Sequence, residues 1–391
     1  MRLAYFLTHP IQYQSPLIRH LRAGGIDLEV VYASDATSRT FFDPGFGTHI
    51  AWDVPLLEGY PQVVLNTESP AGSHRAQVVH YRRQLRQHLK DHPCNAVWVH
   101  GWSHPFTAAA WDIAKEMRLP LLLRGETFIG CVRGGRMRRF AHRWVLSRRF
   151  RQVAAFLAVG TLNQQLYRAY GVPGERIFQV PYAVDNTFFR ARATEAAAER
   201  EALRARMGLS PGVPIVLFCG KLIDVKAPAT LIQAAARLEG DMAVLMVGDG
   251  ALRDQLQSLA DQVAPGKVQF LGFRNQTELP ALYDLCDIFV LPSVFEPWGL
   301  VINEVMNAGK PIIVSDQVGA GADLVRPGLN GGIFKAGDAA GLQQVLQPYL
   351  RDPMLREIAG RESLRIIQQW GFGQCLAGMQ QALGFVASQR A

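Results

Sequence analysis

The sequence predicts an α/β protein with two doubly wound parallel sheets, one in each half of the chain. The chain has 391 residues, of which 49% are hydrophobic and 19% charged, and this length suits about two globular domains. Short runs rich in Val, Ile and Leu alternate along it with helical patterns. These runs are apolar throughout, as expected of strands that are buried on both faces of a parallel sheet.

The alternation is clearest in the second half, where helical segments such as ATLIQAAARL and ALRDQLQSLA separate the strands. Predicted strands there are PIVLFCG (214–220), MAVLMVG (242–248), KVQFLG (267–272), IFVLP (288–292) and KPIIVSD (310–316). The first half offers LAYFLT (3–8), LEVVYA (28–33), AVWVHG (96–101), PLLLRG (120–125) and AFLAVG (155–160). Ligands of open α/β sheets bind outside the carboxyl ends of the strands, so the residues after these runs are the functional candidates.

A composition shift predicts where the two domains meet. The segment VPYAVDNTFF (180–189) leads into a stretch rich in Ala, Glu and Arg at 191–207, which is typical of a linker followed by a helix. We therefore expect one domain over 1–190, a second over 191–365, and a helix over 366–391.

The charge is uneven and points to the first domain as the basic one. Residues 1–190 hold 23 Lys and Arg against 13 Asp and Glu, whereas the remainder holds 18 against 20. Much of the excess lies in RGGRMRRFAHRWVLSRRFR (133–151), where arginines and apolar residues interleave at helical spacing. This stretch is either a solvated helix face or a surface for an anionic membrane or a phosphorylated acceptor. No nucleic-acid module accompanies the charge, so we expect no nucleic-acid partner.

The remaining composition limits location and cofactors. No run of about 18 apolar residues occurs, and the apolar start is too short for a signal segment, so a cytoplasmic protein is expected, with peripheral contact at the inner membrane face as the open alternative. The five cysteines are far apart and lack metal-ligand spacing. We therefore expect reduced thiols, no metal site and no cofactor.

Two loops after predicted strands could hold a nucleotide. In FCGKLIDVKAP (218–228), Gly220 allows close backbone approach, and Lys221 and Lys226 supply two cations for a phosphate, although surface lysines would look the same. In LGFRNQTEL (271–279), aromatic and polar side chains could suit a nucleobase or belong to an ordinary loop.

Two glutamates eight positions apart raise the question of a catalytic carboxylate pair. In one helix, Glu296 and Glu304 would be separated by a rise of ~12 Å, whereas glycosidase carboxyls stand roughly 5–9.5 Å apart. Pro297 and Gly299 favour a loop around the first acid, followed by a helix that holds the second. The two acids then project from different elements and can touch different parts of one extended ligand. A hydrolase pair is disfavoured.

The stretch EPWGLVINE resembles the E-x7-E motif of retaining glycosyltransferases with the GT-B fold, in particular glycosyltransferase family four. GKLIDVKAP, VGDGALRDQL, VQFLGFRNQTELPALYDLCDIFVLPS, AGKPIIVSDQVGAGADLV and NGGIF follow the family's order, so the resemblance covers about 215–340. The first domain is similar only in rhythm. The resemblance implies two Rossmann-like domains facing a cleft, with the final helix crossing back to the first domain.

The resemblance also implies a nucleotide-sugar donor held by the second domain. Lys221, where the family usually has arginine, and Lys226 would hold the diphosphate and stabilise it as it leaves. Glu296 would face the hydroxyls of the transferred sugar, and Glu304 those of the ribose. Trp298 stands where a phenylalanine is usual. Further donor contacts are implied at Gly220, Phe273, Arg274, Asn275, Gly299, Leu300 and Val301.

The first domain departs from the family at its reactive position. Similar chains offer a histidine after the strand PLLLRG; here Glu126 takes that place, and the resemblance makes it a catalytic candidate beside Glu296, Lys221 and Lys226. His100 and His104 follow an earlier strand and could enter the cleft or serve the loop. The expected acceptor side consists of His9, Gln12, Tyr13, His104 and Arg124.

The predicted activity is transfer of a sugar, with retention, from a UDP- or GDP-sugar to an acceptor hydroxyl in cell-envelope or surface glycan biosynthesis. No DxD sequence is present to carry a divalent ion, so a metal-independent reaction is expected. The acceptor could be a lipid-linked glycan. A nucleotide-sugar epimerase of the same fold and a non-catalytic glycan-binding relative remain as alternatives.

Overall fold

The computed structural model describes residues 1–65, 73–131 and 135–389, apart from three arginine side chains within 136–139. The chain forms two compact units. We call Met1–Thr40, Pro55–Ala183 and Phe372–Ala391 the amino-terminal unit, and Phe41–Val54 with Val184–Gly371 the carboxy-terminal unit.

The strands and helices alternate along both units. The strands are β1 (Leu3–Leu7), β2 (Leu28–Tyr32), β3 (Phe41–Asp43), β4 (Thr48–Ile50), β5 (Gln62–Val64), β6 (Ala96–His100), β7 (Leu121–Gly125), β8 (Ala155–Ala158), β9 (Ile177–Gln179), β10 (Ile215–Cys219), β11 (Ala243–Val247), β12 (Val268–Gly272), β13 (Ile288–Leu291), β14 (Ile312–Ser315) and β15 (Gly331–Phe334). The helices are α1 (Gln14–Ala23), α2 (His74–Asp91), α3 (Pro105–Glu116), α4 (Arg136–Phe150), α5 (Thr161–Ala169), α6 (Asn186–Ala196), α7 (Arg200–Arg206), α8 (Pro228–Arg237), α9 (Arg253–Val263), α10 (Leu279–Leu285), α11 (Val301–Met306), α12 (Gly321–Leu324), α13 (Ala339–Arg351), α14 (Pro353–Ile367) and α15 (Phe372–Ser388).

The amino-terminal unit is a parallel sheet in the order β5-β2-β1-β6-β7-β8-β9, with helices on both faces. The period of two along β1 explains the two cores: Ala4 and Phe6 pack on one face, and Leu3, Tyr5 and Leu7 on the other. Buried residues of α2, α3 and α5 complete the first core, and those of α1 and α15 the second. The sheet is therefore covered on both sides, as its apolar strands require.

The carboxy-terminal unit is a parallel sheet in the order β12-β11-β10-β13-β14-β15. The chain order reverses beside β10, which lies between β11 and β13. The helices form two contacting groups: α8 touches α9 and α13, whereas α11 touches α6 and α14. Loops at the carboxyl ends of β10 and β13 therefore meet at the switch point, where ligands of such sheets bind.

A short hairpin from the first half of the sequence belongs to the carboxy-terminal unit. Strands β3 and β4 pair antiparallel, with Phe41 opposite Ile50 and Asp43 opposite Thr48. The sequence analysis assigned these residues to the first domain. The difference arises because the partners of the hairpin, Lys221 and Phe273, lie far away in sequence.

The end of the chain also differs in detail from the expectation of one helix over 366–391. The helix α14 ends at Ile367 and α15 begins at Phe372. In the amino-terminal unit, α15 packs closely on β9, because a Cβ at Gly378 would lie 1.9 Å from the carbonyl oxygen of Gln179. The predicted boundary at 190 falls inside α6, whereas the units change after Ala183.

Candidate functional site

The loop after β10 carries the two lysines that the sequence analysis singled out. The amide of Gly220 donates to the carbonyl of Val247 at 2.9 Å, which ties this loop to the end of β11. Gly248 permits the approach, because a Cβ at that position would lie 1.9 Å from the carbonyl oxygen of Gly220. Lys221 and Lys226 therefore extend from a loop whose backbone is fixed against the sheet.

Lys226 forms an ion pair with Glu296, with Nζ donating to Oε2. The two side chains are only 23% and 11% exposed. Glu296 lies between β13 and α11, where its amide donates to the carbonyl of Gln317 at 3.2 Å. A cation from the end of one strand and an acid from the end of its neighbour thus meet at the switch point.

Glu304 lies on a different element, in the first turn of α11, and is buried. The hydroxyl of Tyr283 donates to its Oε2 at 2.6 Å. Burial raises the pKa of Glu304 to about 7, against hydrogen bonds from Tyr283 and Gln276 that act to lower it. The two glutamates therefore differ in environment, because one is paired with a cation and the other faces a phenol.

Between the two glutamates, two buried polar groups bond to each other. Trp298 and Asn303 are both buried, and the indole Nε1 donates to the amide Oδ1 at 2.9 Å. The Trp298 ring also packs against Trp370, with centroids 5.5 Å apart. A buried indole N–H needs an acceptor, and the asparagine supplies it.

The hairpin β3–β4 contacts the other predicted phosphate ligand. Lys221 Nζ lies 2.8 and 2.9 Å from the two carboxylate oxygens of Asp43 and 4.9 Å from the ring centroid of Phe46. Phe46 and Trp52 in turn meet the ring of Phe273 edge-on, with centroids 5.1 and 6.3 Å away. The sequence analysis did not detect this cluster, because its two parts are separated by more than 160 positions.

The rest of the predicted base loop also has partners. Arg274 donates to Glu278 at 3.1 Å, and the side chain of Asn275 donates to the carbonyl of Ala51 at 2.6 Å. The backbone amide of Thr277 donates to Asp53 at 3.0 Å. This loop therefore interacts with the chain segment that follows the hairpin.

In the amino-terminal unit, Glu126 belongs to a polar network at the carboxyl ends of β1, β6 and β7. Tyr182 donates its hydroxyl to Glu126 Oε1, and His100 Nε2 lies 3.5 Å from the same oxygen. The Glu126 side chain is still 42% exposed. Although partial burial acts to raise it, the pKa of Glu126 is lowered, because His100, Tyr182 and the charge of Arg124 stabilise the carboxylate.

The network also indicates the tautomer of His100. Burial lowers the pKa of His100, so its ring is neutral near pH 7 and carries one N–H. Tyr182 uses its proton on Glu126, so the bond of 3.0 Å between Nε2 and the Tyr182 oxygen requires Nε2 to donate. Nδ1 then accepts from the amide nitrogen of Gln14 at 3.4 Å, while Tyr5, whose oxygen lies 3.1 Å from Nδ1, donates its proton to Gln14 Oε1 at 2.6 Å. Sequence analysis missed Tyr182, which lies in an apolar run with no motif.

Arg124 was expected on the acceptor side, and the structure corrects this. Its side chain is fully buried and donates to the carbonyls of Val180 and Pro181 at 3.2 and 2.6 Å. Its guanidinium carbon lies 4.8 Å from the centroid of the Tyr182 ring. Arg124 therefore supports the network from beneath and is not available to bind an acceptor directly.

The other predicted acceptor residues lie in two loops of the amino-terminal unit. His9 and Gln12 are half-buried, and His9 Nδ1 lies 2.9 Å from the hydroxyl of Thr8. Tyr13 meets the ring of Tyr182 edge-on at 5.7 Å, which places it beside the network. His104 is the N-cap residue of α3, and its Nδ1 accepts from the amide of Phe106.

The basic stretch 133–151 forms α4 from Arg136 onward, and residues 133 and 134 lie outside the described part of the chain. Leu146 and Phe150 are buried in the core. Phe140 and Trp144 are exposed, by 72% and 56%, and are one helical turn apart. Met137 and Val145 are exposed as well.

Within residues 1–65, 73–131 and 135–389, no group of three or more His, Cys, Asp and Glu side chains is arranged to hold a metal ion. The same residues include no helix with the length and hydrophobicity needed to cross a membrane.

Two family models match the chain. The model described as glycosyl transferases group 1 matches residues 199–364, and the glycosyl transferase 4-like domain matches residues 10–183. The first match spans the loops that carry Lys221, Lys226, Glu296 and Glu304.

Curated relatives are similar to this chain over part of their length. D-inositol 3-phosphate glycosyltransferase from Nocardia farcinica is 34% identical over 215 residues, which cover 52% of this chain and 46% of the relative. The lipopolysaccharide core biosynthesis glycosyltransferase LpsE of Rhizobium meliloti is 35% identical over 154 residues, or 39% and 44% of the two chains. The matched part of this chain thus spans about half the length of these curated relatives or less.

Solved structures share the fold over the whole chain. A glycosyltransferase from Rickettsia africae superposes with a TM-score of 0.76 at 14% identity, covering 98% of each chain. HepE from Anabaena, solved in complex with UDP, gives 0.74 at 17% identity, covering 98% of this chain and 100% of that one. The predicted GT-B fold, with two parallel α/β sheets, is confirmed. With a glycosyl transferase 4-like domain at residues 10–183 and a glycosyl transferases group 1 domain at residues 199–364, the chain belongs to the glycosyltransferases.

Proposed function

We propose that this protein is a retaining glycosyltransferase that moves a sugar from a nucleotide-sugar donor to an acceptor hydroxyl. The observation that carries the proposal is the ion pair of Lys226 and Glu296 at the switch point of the carboxy-terminal sheet. It places a cation suited to a diphosphate next to a carboxylate suited to sugar hydroxyls. The buried Glu304 then offers a second acceptor for the ribose hydroxyls.

In the proposed reaction, an acceptor hydroxyl attacks C1 of the sugar on the face from which the nucleoside diphosphate leaves. Positive charge develops at C1 and negative charge on the departing phosphate. Lys226 and Lys221 stabilise that phosphate, so the main catalytic contribution is electrostatic. The departing phosphate oxygen takes the acceptor's proton, and no separate base is required. The lysines carry out the charge neutralisation for which other enzymes use a divalent ion, so we propose a metal-independent reaction.

The identities of the donor and acceptor follow by analogy with relatives. HepE of Anabaena has the same fold and was solved with UDP and with UDP-glucose, which supports a UDP-sugar donor ahead of a GDP-sugar. LpsE of Rhizobium meliloti is named for lipopolysaccharide core biosynthesis, which supports a surface glycan or glycolipid acceptor. A lipid-linked acceptor would also suit the basic amino-terminal half.

A donor panel tests this proposal. Thermal unfolding is followed with UDP-, GDP- and ADP-sugars, each with and without EDTA, because a ligand that binds the folded state raises its apparent stability. We expect one nucleotide class to raise the unfolding temperature equally in both conditions. Proton NMR of the slow donor hydrolysis should then show the retained anomer forming first. No response to any donor, or an epimerised donor, would contradict the proposal.

Glu126 is proposed to act on a sugar or acceptor hydroxyl during transfer. Its carboxylate is held ionised by Tyr182 and His100, yet remains 42% exposed, so it can still accept a hydrogen bond. We expect Glu126→Gln to lower turnover about 100-fold while the Kd for the nucleoside diphosphate changes less than about twofold. Glu116→Gln, an exposed glutamate that pairs with Arg86, is the control. Unchanged turnover in Glu126→Gln would show that Glu126 has no role in the reaction.

We also propose that α4 docks on an anionic membrane surface. The exposed Phe140 and Trp144 lie on one side of an arginine-rich helix, which is the arrangement of interfacial helices. We expect the double variant Phe140→Ser and Trp144→Ser to lose most sedimentation with vesicles that contain an anionic lipid. Met354→Ser with Ile358→Ser, on the exposed face of α14, is the matched control. Equal sedimentation with neutral vesicles, or an equal loss in the control, would reject an electrostatic docking surface.

A further inference from the structure

The hairpin β3–β4 interacts with two of the residues proposed to hold the donor. It comes from the first half of the sequence but lies in the carboxy-terminal unit. Its Asp43 contacts Lys221, and its Phe46 contacts both Lys221 and Phe273. Just beyond the hairpin, Trp52 reaches the same Phe273 ring. A single segment therefore contacts the proposed phosphate cation and the proposed base-stacking ring.

The contact between Asp43 and Lys221 is well organised. Both carboxylate oxygens lie within 2.9 Å of Lys221 Nζ, and the two side chains are only 16% and 33% exposed. Within the turn, the amides of Gly45 and Phe46 donate to Asp43 Oδ1 at 2.7 and 3.1 Å. Burial acts to raise the pKa of Asp43, but these bonds and that from Lys221 lower it, so the group is ionised at neutral pH.

The tight fit of the turn indicates that this arrangement is specific. A Cβ at Gly45 would lie 2.7 Å from both Cδ and Nζ of Lys221, so the absence of a side chain makes room for the lysine. Phe46 covers the ammonium group with its ring centroid at 4.9 Å. The turn thus provides Lys221 with a carboxylate, a ring face and space.

This arrangement conflicts with a phosphate at the same lysine. A carboxylate that holds Lys221 through two oxygens resembles the way a phosphate would hold it, and the two anions would repel each other at that distance. A ligand that uses Lys221 must therefore displace Asp43, and it can do so only with enough negative charge.

We infer that Asp43 is an internal competitor at the donor site: its carboxylate occupies Lys221 and must be displaced by any ligand whose phosphates use that lysine. The inference rests on the proposed donor function. A nucleoside diphosphate can replace the carboxylate with two phosphates and recover the ion pair. A nucleoside monophosphate replaces it poorly, and a nucleoside gains nothing from Lys221. The hairpin therefore lowers the affinity for nucleoside diphosphates and leaves that for the nucleoside unchanged.

The test measures the Kd of Asp43→Asn and wild type for uridine, UMP and UDP, and for the guanosine series, by titration calorimetry. Asparagine keeps an oxygen for the amides of Gly45 and Phe46 but removes the competing charge. We expect the affinity for the preferred diphosphate to rise about tenfold and that for the nucleoside to stay unchanged. In a Lys221→Ala background, the same Asp43→Asn change should have no effect on the diphosphate.

Two controls separate charge competition from loosening of the segment. Asp53→Asn removes a bond of this segment to Thr277 without touching Lys221, and Asp35→Asn removes an exposed pair with Arg39. Both should leave diphosphate affinity within about twofold of wild type.

The possible outcomes distinguish a failure of the inference from a failure of the proposed function. Weaker diphosphate binding by Asp43→Asn would mean that Asp43 positions Lys221 for the donor, and would overturn the inference. An equal gain in Asp53→Asn, or no gain in Asp43→Asn while wild type binds the diphosphate, would overturn it as well. If neither wild type nor Asp43→Asn bound any nucleoside diphosphate, the proposed function itself would fail.

A second measurement reports on the hairpin directly. The amides of Gly45 and Phe46 are bonded to Asp43 in the structure. Saturating diphosphate should accelerate their hydrogen exchange in wild type, because Asp43 leaves Lys221 and the turn loosens. Slower exchange of these amides in the complex would contradict displacement of the hairpin.

Discussion

Replacing Lys226 by alanine is expected to lower donor turnover by about 100- to 1,000-fold, the range found when one preorganised charge-stabilising group is removed. The reason is the position of Lys226 at the switch point, where its ammonium group is mostly withdrawn from water and paired with Glu296. Charge on a leaving diphosphate increases during the reaction, so the lost stabilisation should exceed the lost ground-state binding. The measurement compares kcat with the Kd for the nucleoside diphosphate, and the latter should weaken much less.

The alanine variant also leaves Glu296 without its cation, so a second substitution is needed to interpret it. Lys226→Arg keeps the charge with a different geometry and should recover a substantial part of kcat. Lys335→Ala, which removes an exposed lysine of the same unit, should leave kcat unchanged. If Lys226→Ala retained full turnover, the proposed electrostatic role of Lys226 would be contradicted, even if donor binding had weakened.

The long, buried strands can be predicted from the sequence, because a strand that is apolar throughout must be buried on both faces of its sheet. β10 and β13 illustrate this, since every residue of Ile288–Leu291 is buried. The hairpin β3–β4 could not be predicted in the same way. Its strands have three residues each and are mostly half-exposed, and they are held by polar and aromatic contacts to residues far along the chain. Local periodicity carries no information about such partners.

The candidate site shows the same difference between what local sequence predicts and what depends on long-range packing. The separation of Glu296 and Glu304 onto two elements follows from the proline and glycine between them, which is local information. The pairing of Lys221 with Asp43 depends on long-range packing, as does the placement of Tyr182 on Glu126. The burial of Arg124 was missed for a related reason, because its acceptors are backbone carbonyls at the end of β9 and beyond, which no sequence pattern marks.

Glu304→Gln is expected to stabilise the protein at alkaline pH by about 3 kcal/mol. In the unfolded chain this carboxyl ionises near its ordinary pKa of 4.5, whereas burial raises the pKa to about 7 in the folded protein. Between these values the folded state binds more protons than the unfolded state, so stability decreases as pH rises from about 4.5 to 7 and stays lower above that. Glutamine cannot ionise, so the variant avoids this decrease while still accepting a hydrogen bond from Tyr283.

The same substitution should weaken nucleotide binding, which makes Glu304 a place where stability and function oppose each other. An ionised Glu304 accepts hydrogen bonds from ribose hydroxyls more strongly than a protonated acid or an amide does. In wild type, the affinity for the nucleoside diphosphate should therefore rise as pH increases through about 7, whereas in Glu304→Gln it should be about tenfold lower at pH 8 and show little dependence on pH. Urea unfolding at pH 5 and pH 8 measures the stability change, and Glu239→Gln, an exposed glutamate, serves as the control. If Glu304→Gln were less stable than wild type at pH 8, the carboxylate would have to be stabilised in the folded protein, and its burial beside Tyr283 would not explain its role.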